Sequence, residues 1–262
     1  VMVFLARCEI LANERVAPEA WKMVFRFHGI AGRVEPGQFV HVRCGEYFDP
    51  LLRRPFTIYR VRDESHIEIV YKVVGRGTAL LSKMRPGSFL DVLGPLGRGF
   101  TIPKSCKSAI LIGEGIGVAS LVYLGEKLSK LRIRTSAILG GEGEEEVIGK
   151  KELSSLGIST HIVCGEKQRY QEGIKELLKD FLKKEGADQV FGCGSNHLLA
   201  KTFKVAEAYG VPYQVSLYQN MACGLGACLC CARKFRLGSE IVHRLVCKDG
   251  PVFNAYEVIW EV

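Results

Sequence analysis

The chain has 262 residues, 47% hydrophobic and 24% charged, with 36 Lys and Arg against 28 Asp and Glu for a formal charge of +8. That length and balance allow a sizeable core and more than one domain, and they exclude a disordered or fibrous polypeptide. No uncharged apolar run reaches the roughly 18 residues a membrane span needs: the best stretch, residues 108–125, carries Glu114 among glycines, and "VMVFLARCEI" is too short for a signal core, so a cytoplasmic protein without a membrane span is expected.

In chain order, residues 1–102 read as strands and turns. The segments "VFLARCEIL", "WKMVFRFHG", "GQFVHVRC", "RPFTIYRV", "HIEIVYKVV" and "SFLDVLGP" alternate or are rich in β-branched and aromatic side chains, with turns at Pro36-Gly37 and Pro86-Gly87. Six strands so spaced predict a small antiparallel β-barrel. From Ser108 strands alternate with helices: "SAILIG" precedes a helix over 118–130, "TSAILGG" one near 146–155, "STHIVCG" one near 171–184, "DQVFGCG" one near 196–209, and "YQVSLY" closes the series. Such alternation predicts a doubly wound parallel sheet of the nucleotide-binding type over residues 103–217. A short Cys-rich domain, residues 218–262, completes the chain.

Two places suit an anionic cofactor. In "LLRRPFTIYR" a guanidinium at the start of a strand can hold two pyrophosphate oxygens at once, and Arg54 and Thr57 lie close along the backbone. "GRGT", Gly75 to Thr78, follows the next strand and opens an apolar helical stretch, so its amides add a second anion-binding element. In the sheet domain "LIGEGIGVAS" places Gly113, Gly115 and Gly117 between the first strand and its helix, where a phosphate can approach the backbone. Glu114 in that turn repels a pyrophosphate unless it points away or binds a ribose hydroxyl.

Basic residues are otherwise dispersed, which favours phosphorylated cofactors or an acidic protein face and not nucleic acid. The six histidines, His28, His41, His66, His161, His197 and His243, show no ligand-like pairing and read as surface or strand residues. "EGEEEV" reads as a solvated helix start.

The most specific stretch is "MACGLGACLCCAR". Cys223, Cys228 and Cys231 follow the spacing C-x4-C-x2-C, and Cys247 follows after fifteen intervening residues, the plant-type arrangement for a [2Fe–2S] cluster. The small residues Ala222, Gly224, Gly226 and Ala227 let a loop wrap two irons closely and turn its N–H groups toward sulfur. A zinc site is the competing reading, less suited to a Gly-rich first gap. Cys230, between proposed ligands, is taken as non-ligating. The other cysteines sit singly among apolar residues as small hydrophobes.

Together "PLLRRPFTI", "VYKVVGRGT", "DVLGPLGRGF", "MACGLGACLCCAR" and "VCKDGPVF" resemble segments of the electron-transfer subunits of type B dihydroorotate dehydrogenase, within the ferredoxin-reductase-like flavoproteins, over nearly the whole chain. The resemblance implies that Arg54, Pro55, Phe56 and Thr57 contact FAD, that Val70, Tyr71 and Lys72 line it, that Gly77 and Thr78 hold its phosphates, and that Cys223, Cys228, Cys231 and Cys247 ligate the irons. It implies a path from the FMN of a separate catalytic subunit, through the cluster and FAD, to NAD+ in pyrimidine biosynthesis, in a heterotetramer of two plus two subunits. The sequence departs from the family pattern at Glu114, at Ala119-Ser120, at Cys193-Gly194-Ser195-Asn196-His197-Leu198 and in "SLYQNMAC", the first three bearing on NAD(H). Two other readings stay open: a related reductase subunit serving a hydrogenase or ferredoxin, and a zinc-stapled binding module.

Overall fold

A computed structural model of the chain describes residues 2–45, 49–63 and 65–260. Strands β1 (Phe4–Ala17), β2 (Ala20–Arg26), β3 (Phe39–Arg43), β4 (Arg54–Val61), β5 (His66–Lys72) and β6 (Phe89–Leu96) close into an antiparallel barrel in the order β1-β2-β5-β4-β3-β6. Period-2 alternation drives the closure. Ile10, Met23, Phe25, Ile58, Ile67, Ile69 and Val92 are fully buried in one barrel core, and closure leaves no edge unpaired. β1 is longer than its sequence segment predicts, because a bulge between Ile10 and Ala12 bends it to pair with both β2 and β6. A short helix, α1 (Arg76–Leu81), links β5 to β6.

The second layer runs β7 (Ser108–Glu114), α2 (Ala119–Lys130), β8 (Arg134–Gly141), α3 (Lys150–Ser155), β9 (Ser159–Cys164), α4 (Lys167–Lys184), β10 (Gln189–Cys193), α5 (Asn196–Ala208) and β11 (Tyr213–Ser216). These five strands are parallel, as the alternation predicts. A sixth, β14 (Val252–Asn254), joins antiparallel to β11, giving the order β14-β11-β10-β7-β8-β9. Without it β11 would present an open row of backbone donors and acceptors; three residues are too few to reveal this strand by periodicity. Helix α3 starts later than predicted: residues Glu144–Glu146 form a 3-10 turn, and Gly149, at φ 81°, takes the left-handed conformation before the helix begins. Helix α4 starts earlier, at Lys167.

The strand order reverses between β7 and β10, so their carboxyl ends form the crevice where doubly wound sheets bind ligands. Beyond β11 the chain makes the Cys-rich loop and the hairpin β12 (Ala232–Leu237) and β13 (Glu240–Leu245). Phe235 of this hairpin is fully buried with its ring 4.4 Å from that of Phe253 on β14. One apolar cluster accordingly includes Phe39 and Leu96 of the barrel, the inner face of the sheet, and Cys231 and Cys247. Between barrel and sheet, Arg60 of β4 pairs with the largely buried Glu126 of α2 at 2.5 Å, and the Tyr123 hydroxyl donates to the Val34 carbonyl at 3.3 Å. Among the described residues no helix is long and apolar enough to cross a membrane.

Candidate functional site

The thiols are held by backbone, as a cluster loop requires. Gly224 and Gly226 have φ of 70° and 83°, a conformation side chains rarely adopt. The resulting turns aim the N–H groups of Leu225 and Cys228 at the Cys223 sulfur, at 3.4 and 3.5 Å, and the N–H of Cys247 at the Cys231 sulfur, at 3.4 Å. Burial opposes ionisation of Cys223, yet the donors from Cys228 and Leu225 outweigh it and bring the thiol down to about 6. Cys247 goes the other way, up to about 12, through burial and then the neighbouring Cys231 thiol.

These contacts sort the four cysteines into two pairs, Cys223 with Cys228 and Cys231 with Cys247. Two pairs suit two irons bridged by sulfide, each iron taking two thiolates. Among the described residues no group of three or more His, Cys, Asp or Glu side chains is gathered as a metal site, and the case for two irons rests on the spacing and pairing of the four thiols. Cys230 is exposed, and Leu225 and Leu229 beside it are 52% and 62% exposed.

On the barrel, the two arginines of "LLRRPFT" have different surroundings. Arg53 is committed to the barrel wall, donating to the Asp91 carbonyl and carboxylate, each at 2.9 Å. Arg54 instead crosses to the start of α1, where a Cβ on Gly77 would lie 3.4 Å from its Nε. The two predicted anion elements are therefore adjacent, and Arg54 Nη1 donates to the Leu52 and Arg53 carbonyls at 2.6 and 3.3 Å. Thr78, buried, is occupied locally: its hydroxyl accepts from the N–H of Val74 and Gly75 and donates to the Gly75 carbonyl. Pro55 and Thr57 are half-buried on the outer barrel wall, paired with His41 and Phe39 of β3.

Strand alternation divides the remaining predicted residues. Phe56 and Tyr71 point into the barrel, their rings 5.6 Å apart, with the Tyr71 hydroxyl donating to Asn13 Oδ1 at 2.9 Å. Val70 and Lys72 face the sheet layer. Val70 packs in the barrel-sheet core, and Lys72 pairs at 3.6 Å with Glu146 of the acidic 3-10 turn. "EGEEEV" keeps Glu142, Glu144 and Glu145 exposed, as its composition predicts, while Glu146 reaches the barrel through Lys72.

At the strand-order reversal, the three glycines of "GEGIG" differ. A Cβ on Gly113 would meet Val118 Cγ2 at 2.8 Å, and one on Gly117 the Cys193 carbonyl oxygen at 3.0 Å; both let packed elements approach. Gly115, at φ 52°, faces open space. Glu114 points away from the turn: its carboxylate accepts from the Ser195 N–H at 2.7 Å and the Gln171 amide at 2.8 Å, and Gln171 Oε1 lies 2.7 Å from His197 Nδ1. Burial raises the Glu114 pKa, but donors from Gln171, Ser195 and Tyr170 more than offset it, so the carboxyl sits below its ordinary range. The Glu114 charge is thus turned toward donors from Gln171 and Ser195 and away from Gly115, which faces open space.

His41 is a functional candidate that the sequence reading passes over. It is fully buried, neither ring nitrogen makes a hydrogen bond among the described residues, and burial, with the Arg53 charge, lowers its pKa to about 4. A Cβ on Gly224 would lie 2.6 Å from its Nδ1, so the barrel touches the Cys-rich loop here. The available signal was a histidine inside the apolar strand "GQFVHVR"; its neighbour, more than 180 residues away, was not readable.

Barrel, strand-order crevice and paired thiols together define a flavoprotein reductase with a built-in iron-sulfur segment. Residues 219–259 match the family described as the iron-sulfur cluster binding domain of dihydroorotate dehydrogenase B. The chain is 35% identical, over 97% of each chain, to the dihydroorotate dehydrogenase B (NAD(+)) electron transfer subunit of Desulforamulus reducens, and 33% identical to that of Geobacillus thermodenitrificans over 98% of this chain and 100% of the relative. The chain belongs to the family of dihydroorotate dehydrogenase B electron transfer subunits. Among solved structures, a chain from an NADH-dependent reduced ferredoxin-NADP oxidoreductase superposes with TM-score 0.82 at 27% identity, over 98% of this chain and 91% of that one. Ferredoxin-NADP+ reductase from Plasmodium falciparum shares the fold, with TM-score 0.66 at 15% identity over 78% of this chain and 91% of that one.

Proposed function

We propose that this chain is the electron-transfer subunit of a type B dihydroorotate dehydrogenase, carrying electrons from the FMN of a catalytic partner subunit by way of a [2Fe–2S] cluster and FAD to NAD+. The observation that carries this reading is the two-by-two pairing of Cys223 with Cys228 and Cys231 with Cys247 beside a barrel whose Arg54 lies over Gly77. A bound flavin supplies the interchange between one-electron transfer at the cluster and hydride transfer at the nicotinamide.

The chain's own residues place and tune these groups. Arg54 binds the pyrophosphate through its planar fork, the backbone of Gly77 and Thr78 adds donors, and Pro55, Phe56 and Thr57 form the strand against which the flavin lies. Val70, Tyr71 and Lys72 support that strand from its neighbour. Cys223 and Cys228 would hold one iron and Cys231 and Cys247 the other, and the N–H groups of Leu225, Cys228 and Cys247, aimed at sulfur, would stabilise its negative charge. The turn of Gly113, Gly115 and Gly117 receives NAD(H) at the end of β7. The apolar Tyr218, Leu225 and Leu229, all exposed, form a face for the catalytic subunit, in a heterotetramer of two plus two. Three functional units divide at residues 1–102, 103–217 and 218–262.

The 27% identity to a chain of a reduced ferredoxin-NADP oxidoreductase over nearly the whole length favours a second reading, a reductase subunit for a ferredoxin-type partner. One experiment separates the readings: purify the protein anaerobically with its partners and determine iron, acid-labile sulfide, zinc, FAD and FMN. Iron and sulfide in equal amounts with FAD, alongside a co-purifying FMN subunit that oxidises dihydroorotate and reduces NAD+, is the expected result. A partner without that activity selects the second reading, and zinc without sulfide overturns both.

A further inference from the structure

Resting on the cluster and flavin assignment above, we propose that His41 is a positioning residue that fastens the cluster loop to the flavin-bearing strand pair of the barrel, its imidazole N–H supplying a hydrogen bond to the loop backbone. Neither the cysteine spacing nor the flavin segment identifies it.

Three observations meet at this side chain. First, His41 is fully buried and neither ring nitrogen makes a well-aligned hydrogen bond among the described residues, while the Cys223 backbone lies within the ring's reach. A buried imidazole N–H is costly to leave without a partner, which favours an acceptor in the loop packed against it. Second, its neighbours are the two functional segments themselves. Along the strand pair it stands opposite Pro55, in the middle of the segment from Arg54 to Thr57, and Arg53 closes its flank by donating to the His41 carbonyl at 3.4 Å. Across the gap lies Gly224, immediately after the first cluster cysteine, so close that no side chain fits: a Cβ there would lie 2.6 Å from Nδ1 and 3.2 Å from Cε1.

Third, the loop backbone at this point is in the left-handed region, with Gly224 at φ 70°, and turns its donors inward to the Cys223 sulfur. The peptide that enters Gly224 carries the Cys223 carbonyl, so the contact of Gly224 with the ring brings that acceptor beside His41. An N–H donated to that carbonyl would hold the peptide between Cys223 and Gly224 in the orientation the cluster requires, and would fix the separation between cluster and flavin. Residues that orient ligands from behind in this way commonly affect metal retention or activity by about 10–100-fold.

The test compares His41→Leu, which keeps bulk without a donor, with His41→Gln, which keeps a donor N–H. In the holo complex, three quantities are read besides turnover: FAD and iron content, the EPR spectrum of the reduced cluster, and the rate of iron release to a chelator. The expected result is that wild type and His41→Gln share one EPR spectrum and release rate, while His41→Leu retains FAD, shows a shifted spectrum, and releases iron about tenfold faster or more. If His41→Leu matches wild type in spectrum and release, the hydrogen bond is not made and the proposal is wrong. If both variants are altered alike, ring shape and not the donor holds the loop, which also overturns it. Wild-type protein without iron, sulfide and FAD would instead refute the underlying assignment. Should His41→Leu fail to fold, the comparison of wild type with His41→Gln decides alone: the EPR spectra coincide if the donor is what matters and differ if the ring is.

Discussion

The carboxylate of Glu114, at the end of β7, accepts a hydrogen bond from the backbone N–H of Ser195, at the start of α5, at 2.7 Å. It ties together the two turns whose separation forms the ligand crevice of the sheet. Its carboxyl lies below the ordinary range, so the ionised form is the one the fold favours. A depressed carboxylate contributes stability above its unfolded pKa and loses it as pH falls through the folded value. Stability to urea should therefore fall on acidification below the ordinary carboxylate range. In Glu114→Gln that component should flatten, with a loss of about 1–3 kcal/mol at neutral pH. Urea midpoints of both proteins at neutral and acid pH check this; parallel curves would show that Glu114 contributes nothing to the pH dependence.

Arg54→Ala should release FAD while the barrel stays folded. The guanidinium covers Gly77 and is not committed to the wall as Arg53 is to Asp91. Loss of a charge-assisted contact of about 1.5–3 kcal/mol corresponds to roughly 10–100-fold weaker flavin binding. Flavin titration with circular dichroism measures both properties, and unchanged affinity would remove Arg54 from the site.

Replacement of Cys223, Cys228, Cys231 or Cys247 by Ser should each abolish the visible cluster bands, whereas Cys230→Ser should retain them. Cys228 and Cys230 are both exposed, but only Cys228 shares a contact with Cys223, and Cys231 and Cys247 form the other pair. Iron and sulfide analysis of the five variants decides it; loss of iron in Cys230→Ser would place that thiol among the ligands.

Gly117→Ala should destabilise the protein by about 1–3 kcal/mol through overpacking. The new methyl meets the Cys193 carbonyl oxygen at 3.0 Å and the Gly194 nitrogen at 3.1 Å, both backbone atoms with little freedom to yield. Gly115→Ala meets no atom within 4 Å, though its φ of 52° strains any side chain. Calorimetry and NADH titration on the pair separate packing from cofactor approach: Gly117→Ala should lower Tm, and Gly115→Ala should weaken NADH binding more than Gly117→Ala does.

Arg60→Ala should cost about 1–3 kcal/mol, because it strands the largely buried Glu126 between barrel and sheet. The Arg60→Ala, Glu126→Ala double mutant should recover part of that loss. A double mutant no more stable than the sum of the single changes would mean that the pair is not coupled.

The local chemistry of this protein is written in contiguous sequence. Alternation of "HIEIVYK" and "RPFTIYRV" specified barrel strands, the strand-helix rhythm after Ser108 specified the parallel sheet, and four cysteines at set spacing specified a cluster loop, because each is a pattern of order along the chain. Only the tertiary structure decided what depends on meetings across the chain. It set Arg54 over Gly77 while anchoring Arg53 to Asp91, packed Val70 into the core between barrel and sheet, sheathed the edge of β11 with β14, and drew the Glu114 carboxylate to Ser195. It also buried His41 against Gly224, where a strand histidine and a loop glycine read separately give no sign of each other. The physical reason is that periodicity reports which face of an element is buried, whereas the partner it is buried against is settled by closure of the barrel, reversal of strand order and return of the C-terminal segment.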